Sequence, residues 1–200
     1  MQNAFNVSSR LSEAEKFLKD GNYNYQRRPD GMLVVEGTID LARRRLARLP
    51  DLGNVIVTGN FYCQDNNLTS LKGAPAEVRG GFWCNDNQLE SLEYAPRGIT
   101  GQFVCLSNRL TSLQHAPAEI DGDFCCGNNP LSLLEGAPKK FHRLYSDFGE
   151  FKSWDEVPEK LRLSPELRAQ QIAAAAQDAT VLGGNIQVSK PLMLKKPPAQ

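Results

Sequence analysis

Two things are scarce in this 200-residue chain: histidine, with 2 residues, and any imbalance of charge, with Lys+Arg 23 against Asp+Glu 23. The charge balance removes a net electrostatic pull toward nucleic acid or an anionic membrane. His115 and His142 have no serine or cysteine placed beside them by motif, so no nucleophile pair is legible. No apolar run approaches the ~20 residues of a membrane span, and Met1 to Arg10 lacks the apolar stretch of a secretory signal. The cytoplasm is therefore the expected compartment, with no membrane partner. Cys-x-x-Cys spacing is missing too, and the one adjacent pair, Cys125-Cys126, points to opposite faces of a strand. No catalytic residue, no metal and no cofactor is expected.

Against these absences stands one strong regularity. Cys63, Cys84, Cys105 and Cys126 recur every 21 residues, each in the same setting. Phe61, Phe82, Phe103 and Phe124 precede them by two; Asn66, Asn87, Asn108 and Asn129 follow by three. Leu68, Leu89, Leu110 and Leu131 come next, then Leu71, Leu92, Leu113 and Leu134, and an Ala-Pro pair from Ala74-Pro75 to Ala137-Pro138 closes each unit. A fixed period of this length is the signature of a solenoid. Val57, Gly59, Phe61 and Cys63 alternate with variable residues, which predicts one strand with these side chains facing in. The recurring Asn is expected to satisfy backbone groups where the chain leaves the sheet. Ala-Pro continues neither a helix nor a central strand and turns the chain back. The cysteines are expected to form a reduced, buried packing ladder.

The segment Phe61-x-Cys63-x-x-Asn66-x-Leu68 resembles the leucine-rich-repeat family, whose repeats centre on Leu-x-Leu-x-x-Asn-x-Leu. The short unit and its Ala-Pro return are similar to bacterial repeats and to repeat proteins of tailed phages. One departure is that the leading apolar residue is Val57, where the family places it at the position of Thr58. The resemblance implies a repeat solenoid of leucine-rich-repeat-like parallel β-sheet coils. Some bacterial effectors of this type append a ubiquitin ligase with a catalytic cysteine; all five cysteines here lie within the repeats, so that activity is not implied.

The template extends upstream to Val35-x-Gly37-x-Ile39-x-Leu41, with Arg44 in place of Asn, and decays downstream where Phe141, Arg143, Tyr145 and Asp147 take the Val, Gly, Phe and Cys positions. About six coils result, with short helical caps at both ends. The capping box Ser12-Glu13-Ala14-Glu15 opens a helix that Gly21 stops. Trp154, Val157, Leu161 and Leu163 supply apolar cover, and Ser164-Pro165-Glu166 opens a helix whose stripe of Leu167, Ile172, Ala175 and Ala179 is expected to dock on the last coil. The predicted organisation is a cap over residues 1–34, the solenoid over 35–155, a C-terminal cap over 156–180 and an extended or flexible tail over 181–200.

Residues flanking the cysteines face outward and form columns: Asp40, Tyr62, Trp83, Val104, Cys125, Ser146 in one; Asn60, Gly81, Gln102, Asp123, Leu144 in the next; Gln64, Asn85, Leu106, Gly127, Phe148 in the third. Tyr62, Trp83, Val104 and Leu106 make an apolar centre, with Arg79, Gln102, Asp121 and Asp123 around it and Gly81 leaving room beside Trp83. Aromatic anchors with a polar rim are the composition of a protein-binding hot spot. Cys125, outside the period, is the one candidate reactive thiol. The leading expectation is a non-enzymatic protein-binding module. The alternatives are a subunit of a larger assembly such as a phage virion or a homo-oligomer, held by its C-terminal tail, and RNA binding through Arg27, Arg28, Arg43, Arg44, Arg45 and Arg48. Nucleic acid ranks behind protein because no stacking aromatics alternate with these arginines.

Overall fold

A computed structural model describes residues 11–164, 166, 167 and 169–174. Its contacts divide the chain into two units, Met1–Ser164 and Pro165–Gln200. In the second unit residues 166, 167 and 169–174 are helical, as the Ser-Pro-Glu start predicts, and Leu167 and Ile172 are exposed. Ala175, Ala179 and the tail over 181–200 lie outside the described residues.

The first unit is a parallel β-solenoid of about five turns. Helix α1 (Glu13–Asp20) leads into β1 (Tyr25–Arg27), β2 (Leu33–Val35), β3 (Ile39–Asp40), β4 (Val55–Val57), β5 (Phe61–Tyr62), β6 (Glu77–Val78), β7 (Phe82–Trp83), β8 (Gly98–Ile99), β9 (Phe103–Val104) and β10 (Phe124–Cys125). The chain ends in β11 (Leu144–Ser146), β12 (Gly149–Phe151), a 3-10 turn (Trp154–Glu156) and α2 (Glu159–Arg162). Each of the first four coils contributes one strand to each of two sheets, and the coil of β10 meets the first sheet only through an isolated bridge from Ile120 to Ile99. The first sheet has the order β1-β2-β4-β6-β8 and the second β12-β11-β10-β9-β7-β5-β3.

This corrects the single strand expected through Val57–Cys63. The alternation survives, with Val57, Phe61 and Cys63 all fully buried, but the chain turns a corner at Gly59. The corner glycines stack so closely that a Cβ on Gly59 would lie 2.7 Å from the carbonyl carbon of Gly37, and one on Gly101 would lie 2.6 Å from Gly81 N. Only a residue without a side chain lets successive backbones approach so far. The bend places the Val and Phe of one repeat in different sheets.

Inside, Phe61, Phe82, Phe103 and Phe124 stack with ring centroids 5.4, 5.4 and 5.7 Å apart. Beside them runs the expected cysteine ladder, wholly buried and unpaired by disulfides. Each phenylalanine buried this way stabilises the fold by roughly 1.5–3 kcal/mol. The asparagines tie coil to coil. Asn87 Nδ2 donates to the carbonyls of Cys63, Cys84 and Asn85 at 3.0, 3.1 and 3.2 Å, while its Oδ1 accepts from Leu68 N at 3.0 Å. Asn108 and Asn129 repeat the pattern one and two coils on. Arg44, where the first coil lacks its Asn, has its backbone N–H bound by Asn66 Oδ1 of the next coil at 3.0 Å.

Both ends are closed by chain reversal. The expected capping box is present, Ser12 Oγ accepting from Glu15 N and Glu15 Oε2 accepting from Ser12 N, and Ala14 and Leu18 are buried against the first coil's core. Strand β1 pairs antiparallel with β2, and β12 antiparallel with β11, so each covers a sheet edge that would otherwise invite pairing with another chain. At the C-terminal end Leu134 N donates to Leu161 O, and Val157 and Leu161 are buried. The last coil also departs from the expected register. Phe124 pairs with Leu144 and Cys125 with Tyr145, a step of 20 residues in place of 21. The shift puts Leu144 in the core and Tyr145 in the outward row, where Ser146 had been expected. The chain then reverses into β12 and the sixth coil is left incomplete.

Candidate functional site

The outward face of the second sheet carries the residues that sit between buried Phe and Cys neighbours. Strand pairing sets Tyr62 beside Asp40 and Trp83, Val104 beside Trp83 and Cys125, and Cys125 beside Tyr145. Tyr62 and Trp83 are half-buried, their ring centroids 4.7 Å apart at 36°. Asn60 Nδ2 donates to the Tyr62 hydroxyl at 2.9 Å, which holds the phenol in place. Trp83 does not stand beside an open space over Gly81. Its six-membered ring lies back over Gly81, filling the room a Cβ would need, and Gly81 is buried as a result. Val104 is only 7% exposed, because its short side chain lies in the row between Trp83 and Cys125. Leu106 is half-buried beside Gly127, and Gln102 is exposed.

Two rim residues belong elsewhere. Val78 and Ile120 are buried, so Arg79 and Asp121 project from the first sheet's side of the corner: Arg79 pairs with Glu77 at 2.7 Å and Asp121 with Lys140 at 2.8 Å. Gly122 separates Asp121 from Asp123, and only Asp123 reaches the second sheet, where its Oδ1 lies 2.8 Å from His142 Nδ1. Of these two residues expected on the rim, Asp123 alone therefore lies on the second sheet's face. Arg143, also on this edge, is held by Glu150.

Chemically the face is quiet. Burial, and secondarily the Asp123 charge, push the Cys125 thiol up to about 11, so it is overwhelmingly protonated at neutral pH. Burial likewise pushes the thiols of Cys63, Cys84 and Cys105 far up and that of Cys126 up to about 12. Among the described residues no three His, Cys, Asp or Glu side chains group as a metal site, and no helix is long and apolar enough to cross a membrane. Of the arginines, Arg27 pairs with Glu15 at 2.6 Å, Arg28 with Asp30 at 3.0 Å and Arg43 with Asp65 at 3.6 Å, while Arg44, Arg45 and Arg48 are exposed.

Sequence reasoning assigned no role to two polar residues of this face. Gln64 Oε1 and Asn85 Oδ1, on neighbouring coils, are the buried side-chain polar atoms that lack a hydrogen-bond partner among the described residues. Gln64 also lines a shallow, open cavity of about 380 Å³ with Asp40, Ala42, Arg43 and Tyr62. The column that contains Gln64 and Asn85 was legible, but its polarity reads as rim until the neighbours are in place. Comparison with protein-family models, curated proteins and solved structures finds no match.

Proposed function

We propose that this chain is a non-enzymatic protein-binding module that engages its partner on the outward face of the second sheet. The observation that carries the reading is the Tyr62–Trp83 ring pair, held rigid before any partner arrives. Preorganised aromatic anchors lose little side-chain entropy on association, and such residues dominate binding energy at protein interfaces. Around them the face offers Gln64, Asn85, Gln102 and Leu106, a mixed rim with few charges. The leucine-rich-repeat likeness belongs to the same proposal, since stacked coils of that kind present extended binding surfaces. The high thiol value at Cys125 favours a packing role for it over chemistry.

The test is affinity capture from a host extract with the full chain, followed by mass spectrometry. Trp83→Ala and Tyr62→Ala, each shown by circular dichroism to keep the fold, should lose the specific partner. Retention of that partner by both folded variants would refute the site.

A further inference from the structure

The cavity at the N-terminal end of this face has a definite chemistry. Asp40 lines it, exposed, and makes no ion pair among the described residues; its one hydrogen bond is local, Oδ1 accepting from Ala42 N at 2.9 Å. Arg43, also in the lining, pairs with Asp65 at 3.6 Å, whereas Asp40 has no ion-pair partner among the described residues. One wall is the Tyr62 ring, continued by Trp83 at 4.7 Å. Gln64, two residues on from Tyr62, also lines it, and its carbonyl oxygen is buried without a hydrogen-bond partner, as is that of Asn85 on the next coil.

A buried acceptor without a partner is a state that native structures avoid. Half a turn of the Gln64 amide exchanges its oxygen and nitrogen, an alternative that fits the same side-chain shape, and moves the carbonyl from the buried to the outer position on the side chain that lines the cavity. The cavity then presents a carboxylate, a carbonyl and an aromatic wall, all of which favour a cation with several N–H donors and a flat face. Arginine has that combination: a planar, permanently charged guanidinium that forks to oxygen acceptors and stacks on aromatic rings. Lysine supplies the charge but neither the plane nor the fork.

We propose that the cavity lined by Asp40, Tyr62 and Gln64 receives an arginine side chain of the protein partner, with the guanidinium against the Tyr62 ring and its donors on Asp40 and Gln64. The proposal rests on the binding-module reading above and names the partner group that this end of the face accepts.

Full-length 15N-labelled protein is titrated with acetyl-Gly-Arg-Gly-amide at constant ionic strength, with the Lys and Gln tripeptides as controls. Saturable shifts are expected at the Gln64 side-chain amide and at Tyr62 for the arginine peptide. Asp40→Asn, which keeps the bond to Ala42 N, should weaken its binding roughly tenfold, the cost of one charge-assisted hydrogen bond. Arg43→Gln, which removes a like charge from the lining and so its repulsion of the incoming guanidinium, should tighten it. Absence of saturable shifts, an equal response to the lysine or glutamine peptide, or indifference to Asp40→Asn overturns the proposal. In the capture experiment the two readings separate. If Asp40→Asn leaves partner capture unchanged while Trp83→Ala abolishes it, the arginine site falls and the module reading stands; if Trp83→Ala and Tyr62→Ala both leave capture unchanged, the module reading falls.

Discussion

Replacing Asn87 tests how the coils are held together. In Asn87→Ala the Leu68 N–H loses its acceptor and stays buried, which costs ~1–3 kcal/mol. The carbonyls keep a second donor each: Cys63 O from Asn66 Nδ2 at 3.0 Å, Cys84 O from Asn108 Nδ2 at 3.0 Å and Asn85 O from Asp65 N at 3.1 Å. Adding the lost side-chain bonds brings the total to about 3 kcal/mol. Asn87→Asp is nearly isosteric, yet it should cost more than alanine at pH 7. It sets a carboxylate oxygen against three carbonyl oxygens that now accept from Nδ2 at 3.0 to 3.2 Å. Burial and that repulsion raise the carboxyl pKa in the folded state above its unfolded value. The folded form therefore takes up a proton first, and the deficit relative to wild type shrinks as pH falls from 7 toward 5. Urea unfolding followed by circular dichroism at both pH values measures this, with exposed Asn67→Ala as a control that should stay within ~0.5 kcal/mol of wild type. The reasoning is refuted if the aspartate variant is no worse than alanine at pH 7, or if its deficit grows on acidification.

Gly101→Ala should destabilise by about 2 kcal/mol, because the new Cβ would meet the backbone of Gly80 and Gly81 at 2.6–2.9 Å and neither can yield; Gly53→Ala, with only Asp51 Oδ1 at 3.4 Å, is the control in the same thermal melts. His115 holds φ 68° at the position before Ala-Pro where Gly73 and Gly136 stand in other coils. His115→Gly relieves ~1–2 kcal/mol of left-handed strain against ~0.5–1 kcal/mol of glycine entropy, so the melting temperature should rise; a fall would show that the histidine makes compensating contacts. Native-state alkylation of Cys125 should be slow at pH 7.5 and rise roughly tenfold per pH unit toward its value of about 11, since only the thiolate reacts. Fast labelling at pH 7 would contradict that, as would labelling of Cys63, Cys84, Cys105 or Cys126 before urea is added.

Much of this solenoid is legible without coordinates. The inward set of Val, Phe and Cys follows from alternation, the core leucines from their recurrence in every repeat, and the Asn ladder from its lack of any apolar reason to recur. The Ser12–Glu15 cap is a local motif whose partners lie three residues apart. Tyr62, Trp83, Leu106, Gln102 and Asp123 reach the outward face because each is adjacent in sequence to a buried ladder residue. Tyr145 was misplaced, since the 20-residue step at Leu144 is set by pairing with β10 and leaves no mark in the repeat wording.

What the chain by itself determined is its period and which side of each short strand is dry, because both depend on residues only two or three apart. Tertiary structure decided the rest through contacts between coils. Glycine backbones stacked at van der Waals distance make the corner that divides one expected strand between two sheets. That corner sends Arg79 and Asp121 to the first sheet's side and keeps Asp123 on the second. Stacking also lays Trp83 over Gly81 and brings Asp40, Tyr62 and Gln64 from adjacent coils around one cavity. Residues some twenty positions apart become neighbours only when the repeats pile up, and the binding chemistry of this face resides in those neighbours.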